Sequence, residues 1–373
     1  STLLASSAAS DVYKRQVVLL VMITIHEAGH YTAGKILGFK INEFAIGMGP
    51  KLFSRKKKNG EVFSVRLFPL GGYCAFEGED ENMPDSPDAF NSQKPWKRII
   101  VLVSGALFNF ISAILIVFIA FWAFGDDALA IQKVYESSVN YDAYQQGTGF
   151  KEGDIIYKID GKVVYLVVDV SNYIAGAGDE MDVVVLRENA QGKREKVTIE
   201  NVRKGKFTVD KLDENGNVVL DENGNPVKEE ANGWGVQNAY VKNSFTFGQA
   251  LGRSVPYCLR AGGYILETLG GLITGRVPIK DIGGPITTID MTTQVIRTGF
   301  SNVLFLITLI SVNLAVFNLL PLPALDGSRV IFVLIEWIFR KPVNRKVEGW
   351  IHAIGMILLF GLVILVDVLR YLT

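Results

Sequence analysis

Two cysteines in 373 residues are too few for a disulfide framework or a multi-cysteine zinc module. Nor is there an excess of charge of either sign, since 38 basic side chains face 38 acidic ones. A nucleic-acid binder would carry a basic surplus, so neither nucleic acid nor nucleotide is expected as a partner. Charged residues are also sparse, at 20% against the roughly one quarter usual in soluble domains. With 49% hydrophobic residues and no net charge, the composition excludes a disordered chain.

The apolar residues are concentrated in four runs. Val17 to Leu37 is apolar apart from His26, Glu27, His30 and Lys35. Ile99 to Phe124 is free of charge and would be roughly 39 Å long as a helix, more than the ~30 Å hydrocarbon thickness. Ser301 to Leu325 is also charge-free, and Ile351 to Leu372 is interrupted only by His352, Asp367 and Arg370. One such run could be a buried core helix, whereas four predict a four-span membrane protein. Trp96, Trp122, Trp337 and Trp350 stand at the edges of the runs, where amphipathic rings favour the interface. Lys and Arg cluster between Lys40 and Arg98, and again from Arg329 to Lys346, which assigns both segments to the cytoplasm. The termini and the long middle segment then face outside.

The predicted organisation follows in order. Residues 1–16 read as non-native, small-residue filler, an assembly scar in place of the first span's start. Residues 17–38 form the first span, and 39–98 a cytoplasmic loop with a β-hairpin turning at Asn59-Gly60. The second span is 99–124. An α+β domain occupies 125–244, with strands at Met181–Arg187 and Glu195–Glu200 and a hairpin insertion near 206–232. Two Asp-Glu-Asn-Gly units in that insertion suggest calcium, but neither has the twelve-residue ligand spacing, so consecutive Asn-Gly turns are expected. An amphipathic connector (245–298), a third span (299–327), a cytoplasmic link (328–350) and a fourth span (351–373) complete the chain. Cys74 and Cys258 fall on opposite sides of the predicted membrane and are expected as free thiols.

His26-Glu27-Ala28-Gly29-His30 carries the chemistry. Positions i and i+4 share a helix face, so both imidazoles can reach one zinc ion, with Glu27 beside the open position as a base. Ionisable groups inside a span are expensive, and three within five residues make a poor inert helix. A catalytic zinc usually has three protein ligands. Asp326 is the candidate third, in Asn318-Leu-Leu-Pro-Leu-Pro-Ala-Leu-Asp326-Gly327, where Pro321 and Pro323 break the helix at membrane depth. His352, four residues after Glu348, reads as an interfacial, hydrogen-bonded histidine.

The sequence resembles the site-2 protease family of intramembrane zinc metalloproteases, in its bacterial branch with an extracytoplasmic PDZ domain. Besides the two motifs above, the matching pieces are Phe44-Ala-Ile-Gly-Met-Gly-Pro50, Gly71-Gly72-Tyr73, Asn109, Gly153-Asp154 to Asp160-Gly161, and Gly284-Pro285-Ile286. The resemblance implies a polytopic α-helical membrane protein of the bacterial cell membrane. It would carry a PDZ-like domain outside and a membrane-associated β-hairpin at the cytoplasmic side. It implies one zinc ion per chain, bound by His26, His30 and Asp326, with Glu27 as general base and Asn318 and Asn109 near the substrate. Expected partners are single-span membrane protein substrates and the lipid bilayer. The chain departs from the family in having Gly105-Ala106 where Gly-Pro is frequent, and Ser328-Arg329 after the Asp-Gly. The competing readings are a membrane-anchored PDZ adaptor with a relict metal site and a transporter; no inverted repeat of the spans supports the latter.

Overall fold

The computed structural model describes residues 2–79, 86–213, 217–278, 295, 299–341 and 343–372. The segment Gly284-Pro285-Ile286 lies outside them. In chain order the elements begin with α1 (Thr2–Leu37), β1 (Ile41–Lys56), β2 (Val62–Phe76) and α2 (Pro95–Phe124). Then come β3 (Asp126–Val134), α3 (Tyr141–Gln145), β4 (Ile155–Ile159), β5 (Lys162–Val163) and α4 (Val167–Gly176). Next are β6 (Glu180–Glu188), β7 (Arg194–Arg203), β8 (Gly205–Asp210), β9 (Lys228–Gly233) and β10 (Val236–Asn243). The last helices are α5 (Phe247–Ile273), α6 (Phe300–Leu319), α7 (Asp326–Phe339) and α8 (Arg345–Leu372). The chain divides into two compact units, Ser1–Ala120 with Leu251–Thr373, and Phe121–Ala250.

Among the described residues, two helices are long and apolar enough to cross a membrane, α2 and α6. Proline opens α2, where its missing N–H costs nothing. At the end of α1, Gly38 takes φ +80° and Phe39 N–H returns to the Gly34 carbonyl, 2.8 Å. Such a left-handed glycine stop lets the chain turn directly into β1. The hairpin β1–β2 is doubled on itself, because Phe44 lies opposite both Phe63 and Cys74. Phe39, Ile41, Phe76, Phe90, Val101, Leu102 and Val333 bury one apolar cluster joining α1, the hairpin, α2 and α7. Each buried phenylalanine there contributes about 1.5–3 kcal/mol. At the hairpin's far end Glu61 is buried and ion-pairs with Lys35 of α1 and with Lys57.

The segment 328–350 contains most of α7 and the start of α8. After α6 the chain is extended at Leu320, Ala324 is left-handed at φ +73°, and a new helix begins at Asp326. Neither Pro321 nor Pro323 can donate to a continuing helix, which is the physical reason for the break.

The second unit is an antiparallel sheet of order β10-β3-β4-β6-β7, with β5 on β4. Its core includes Ile131, Phe150, Ile159, Val183, Val185 and Trp234. Asp154 is buried and receives two bonds from Arg187, at 2.7 and 2.6 Å. Strands β8 and β9 form a separate ribbon. The ribbon is extended by bridges Leu212–Val218 and Leu220–Pro226. The Asp221 carboxylate accepts the N–H groups of Asn223 and Asn225, and Asp213 accepts that of Asn217. Asp221 serves its own turn, as expected for an Asn-Gly hairpin, while Asn215-Gly216 lies outside the described residues. Cys74 and Cys258 are free thiols.

Candidate metal centre

Helix α1 sets His26 and His30 one turn apart, with Nε2 to Nε2 at 3.1 Å and the rings inclined at 81°. The start of α7 brings Asp326 Oδ2 to 2.9 Å from His26 Nε2 and 3.3 Å from His30 Nε2. These three atoms form a small triangle from residues 300 positions apart in the chain. For zinc with nitrogen and oxygen ligands at 2.0–2.1 Å, neighbouring donors on a tetrahedron stand about 3.3 Å apart. The observed triangle fits an ion of that size, and the donor types, two neutral imidazoles and a carboxylate, are those of a catalytic zinc.

Space for the triangle comes from glycines. A Cβ on Gly105 of α2 would lie 2.7 Å from His26 Nε2 and closer still to His30 Nε2. Gly29, inside the histidine motif, faces Ser104 and Gly105 so closely that its Cβ would be 2.9 Å from the Gly105 Cα. The helices α1 and α2 therefore meet at this point through bare backbone. Gly327 plays the same part beside Asp326, since its Cβ would be 2.5 Å from the Leu319 carbonyl. Small residues at such crossings are a general means of close helix approach in membranes.

Each histidine is held from behind. His30 Nδ1 donates to the Val101 carbonyl at 2.8 Å, which leaves Nε2 as the lone-pair nitrogen. His26 Nδ1 faces the Asn109 amide at 3.4 Å and the Asn318 amide at 3.5 Å. Thus both asparagines gather at one imidazole. Asp326 depends on the short loop before it, where the Ala324 N–H donates to His352 Nδ1 at 2.8 Å.

Glu27 is hydrogen-bonded to the backbone of Cys74 and lies close to Gly72. Both residues belong to β2. With His30 and Asp326 it lines a cavity of about 610 Å³, together with Asn42, Glu43, Tyr73 and Arg329. Arg329 pairs with Glu79 at 2.6 Å on that wall. Glu43 accepts from Ser64 and Arg66, and these bonds outweigh its burial and hold its carboxyl below the usual range. Burial pushes the Cys74 thiol up, so it is no nucleophile at neutral pH. Every residue predicted from the sequence as ligand, base or substrate contact is found at this centre. Gly105 and the loop-holding role of His352 were missed, because both depend on contacts between elements far apart in sequence.

Comparison with known proteins gives a consistent result. The model of a family described as peptidase family M50 matches residues 15–362. A Fusobacterium nucleatum protein named as a zinc metalloprotease is 31% identical over 94% of this chain and 96% of its own length. A Clostridium perfringens protein, also named as a zinc metalloprotease, is 33% identical over 93% of this chain and 94% of its own. The zinc metalloprotease RasP of Bacillus licheniformis is 28% identical over 92% and 94% respectively.

Proposed function

As the chain belongs to peptidase family M50, the site-2 proteases, and is a zinc metalloendopeptidase of the membrane, we propose that it cleaves single-span membrane proteins within their transmembrane segments. In this reading His26, His30 and Asp326 hold one zinc ion and Glu27 is the general base. The observation that carries it is the triangle of three ligand atoms closing beside Glu27 on a polar-walled cavity.

A zinc ion in that triangle supplies positive charge that acidifies water and polarises a peptide carbonyl. Glu27 takes the proton from the attacking water and delivers it to the leaving amine. Its bond to the Cys74 backbone keeps the carboxylate turned toward the cavity. Asn318, half-buried beside His26, is the side chain positioned to donate to the developing oxyanion; such a donor contributes roughly 3 kcal/mol. A transmembrane substrate is helical with its backbone bonds satisfied internally, so it must unwind before attack. The β2 segment beside Glu27 offers an extended partner for the unwound stretch, in the manner of strand addition.

The proposed topology has four spans, α1, α2, α6 and α8, with the hairpin and the centre toward the cytoplasm of a bacterial cell. Exposed apolar side chains on α1 (Val17, Leu19, Val21) and α8 (Ile357, Leu358, Phe360, Ile364) support lipid contact. So do the exposed Trp96, Trp122, Trp337 and Trp350. The sheet of the second unit is proposed as a PDZ-like extracytoplasmic domain that filters substrates. Anti-sigma factors and remnants of signal peptides are the substrate classes of this reading.

The test is Glu27→Gln in the purified, detergent-solubilised protein with a membrane-embedded reporter. The variant is expected to retain zinc and to lose cleavage. Cleavage at the wild-type rate would reject Glu27 as the base.

A further inference from the structure

His26 has a problem that His30 does not. An imidazole that gives Nε2 to a cation carries its proton on Nδ1, and that N–H needs an acceptor. His30 has one in the Val101 carbonyl. Among the described residues His26 Nδ1 meets two side-chain amides and no backbone carbonyl, with the Nδ2 groups of Asn109 and Asn318 placed toward it. An amide nitrogen facing Nδ1 suits the opposite tautomer, with the proton on Nε2 and donated to Asp326 Oδ2 at 2.9 Å.

Asn109 is the side chain that can supply that acceptor. It is fully buried on α2, and its Oδ1 is buried with no hydrogen-bond partner among the described residues. A half-turn of the amide about the Cβ–Cγ bond exchanges oxygen and nitrogen without moving any other heavy atom of the residue. The unpartnered oxygen then faces Nδ1 and accepts its proton, and the amide nitrogen takes the oxygen's former place. The backbone here is pinned, since the Asn109 carbonyl accepts from Ser311 at 2.7 Å and from Ser112 at 2.8 Å. The amide can turn while the helix stays put. Asn318, by contrast, is only half-buried.

We propose that Asn109 is a positioning residue for His26, whose amide oxygen accepts the Nδ1 proton and so presents Nε2 to the cation. This rests on the metal reading given above and assigns the two asparagines separate work: Asn109 orients a ligand, and Asn318 meets substrate. Partners of this kind typically change metal affinity by roughly 10- to 100-fold when removed.

The experiment measures zinc affinity of the full-length protein in detergent by competition with a chromophoric chelator. The variants are Asn109→Leu, Asn109→Asp, Asn318→Ala and His26→Ala. Asn109→Leu fills the same space without an acceptor and is expected to weaken zinc by roughly 10- to 100-fold. Asn109→Asp keeps an acceptor and is expected to bind within a few-fold of wild type, which a packing role alone would not predict. Asn318→Ala is expected to leave zinc affinity unchanged while lowering turnover. With ¹⁵N-histidine, the zinc-loaded wild type should show a hydrogen-bonded Nδ1–H for His26 that Asn109→Leu loses. Wild-type affinity in Asn109→Leu, or equal losses in Leu and Asp, would overturn the assignment while leaving the metal reading intact, provided His26→Ala loses zinc. A wild-type protein that binds no zinc would remove the metal reading and this assignment together.

Discussion

A Cβ on Gly105 would lie 2.7 Å from both Cε1 and Nε2 of His26, so α2 meets the metal-facing side of that ring with bare backbone. This glycine sits in mid-helix, where it costs about 1 kcal/mol relative to alanine. Gly105→Ala should therefore help the helix and harm the centre. The expected outcome is a protein with zinc content near zero and cleavage reduced by at least about 100-fold, some 2.7 kcal/mol in transition-state terms, whose melting temperature does not rise, because overpacking costs about 1–3 kcal/mol and offsets the helix gain. Zinc analysis and a thermal melt on the same sample check both halves. Retention of zinc would mean that α2 stands farther from the histidines.

A second prediction concerns the loop that presents Asp326. Ala324 is held at φ +73°, a conformation that costs a non-glycine residue of order 1–3 kcal/mol. The strain is sustained by the bond from its N–H to His352 Nδ1 and by Pro323 pressed against Gly355 of α8. His352→Leu should release the loop and lower zinc affinity and activity together, by roughly tenfold. Adding Ala324→Gly, which removes the conformational cost, should return part of that loss. A double-mutant cycle in zinc affinity measures the coupling, and strict additivity would show that His352 acts elsewhere.

These two positions mark where sequence reading stops. The pairing of His26 with His30 follows from helical periodicity, and the Asn59-Gly60 turn and the strands at 181–187 and 195–200 follow from local rules as well. Asp326 stood out because a carboxylate after a long apolar run is costly unless partnered. The restart of a helix at Asp326 was not legible, since prolines tell where a helix stops and not what begins after it. Gly105 and His352 were opaque for another reason. Their roles arise where α2 crosses α1 and where α8 touches a loop, and no spacing within either element encodes the crossing. The Asn109 carbonyl, held by Ser311, is a further contact of this kind.

The Gly153-Asp154 motif has a structural explanation. Asp154 is 1% exposed, and Arg187 reaches it from β6 with two bonds while the Lys151 N–H supplies a third at 2.7 Å. Arg187 also donates to the Gly149 carbonyl, at 2.9 Å. Asp154→Ala would leave the guanidinium partly buried without its counter-charge, a change that costs about 3–5 kcal/mol in comparable pairs. The expected outcome is destabilisation on that scale within the second unit, read by hydrogen exchange of β4 and β6, with zinc binding by the full-length protein unaltered. Unchanged protection of those strands would refute the structural role.

The last prediction is a pH dependence at the turn end of the hairpin. Burial alone would raise the Glu61 carboxyl, but hydrogen bonds from Lys35, Lys57 and Asn59 outweigh it and hold it at about 2. A carboxyl lowered on folding adds stability that is present in full above its ordinary value, near 4.5, and is lost as pH falls toward about 2. Lys35 belongs to α1 five residues after His30, so this bond ties the hairpin to the helix that carries the centre. Between pH 6 and pH 4.5 the hairpin should keep its attachment, and below that it should loosen progressively. Glu61→Gln should show the loosened state already at pH 6, with the dependence below pH 4.5 flattened. Hydrogen exchange of β1 and β2 across this range is the measurement. A wild-type hairpin equally protected at pH 6 and pH 2.5 would show that the apolar cluster around Phe76 and Phe90 holds it without Glu61.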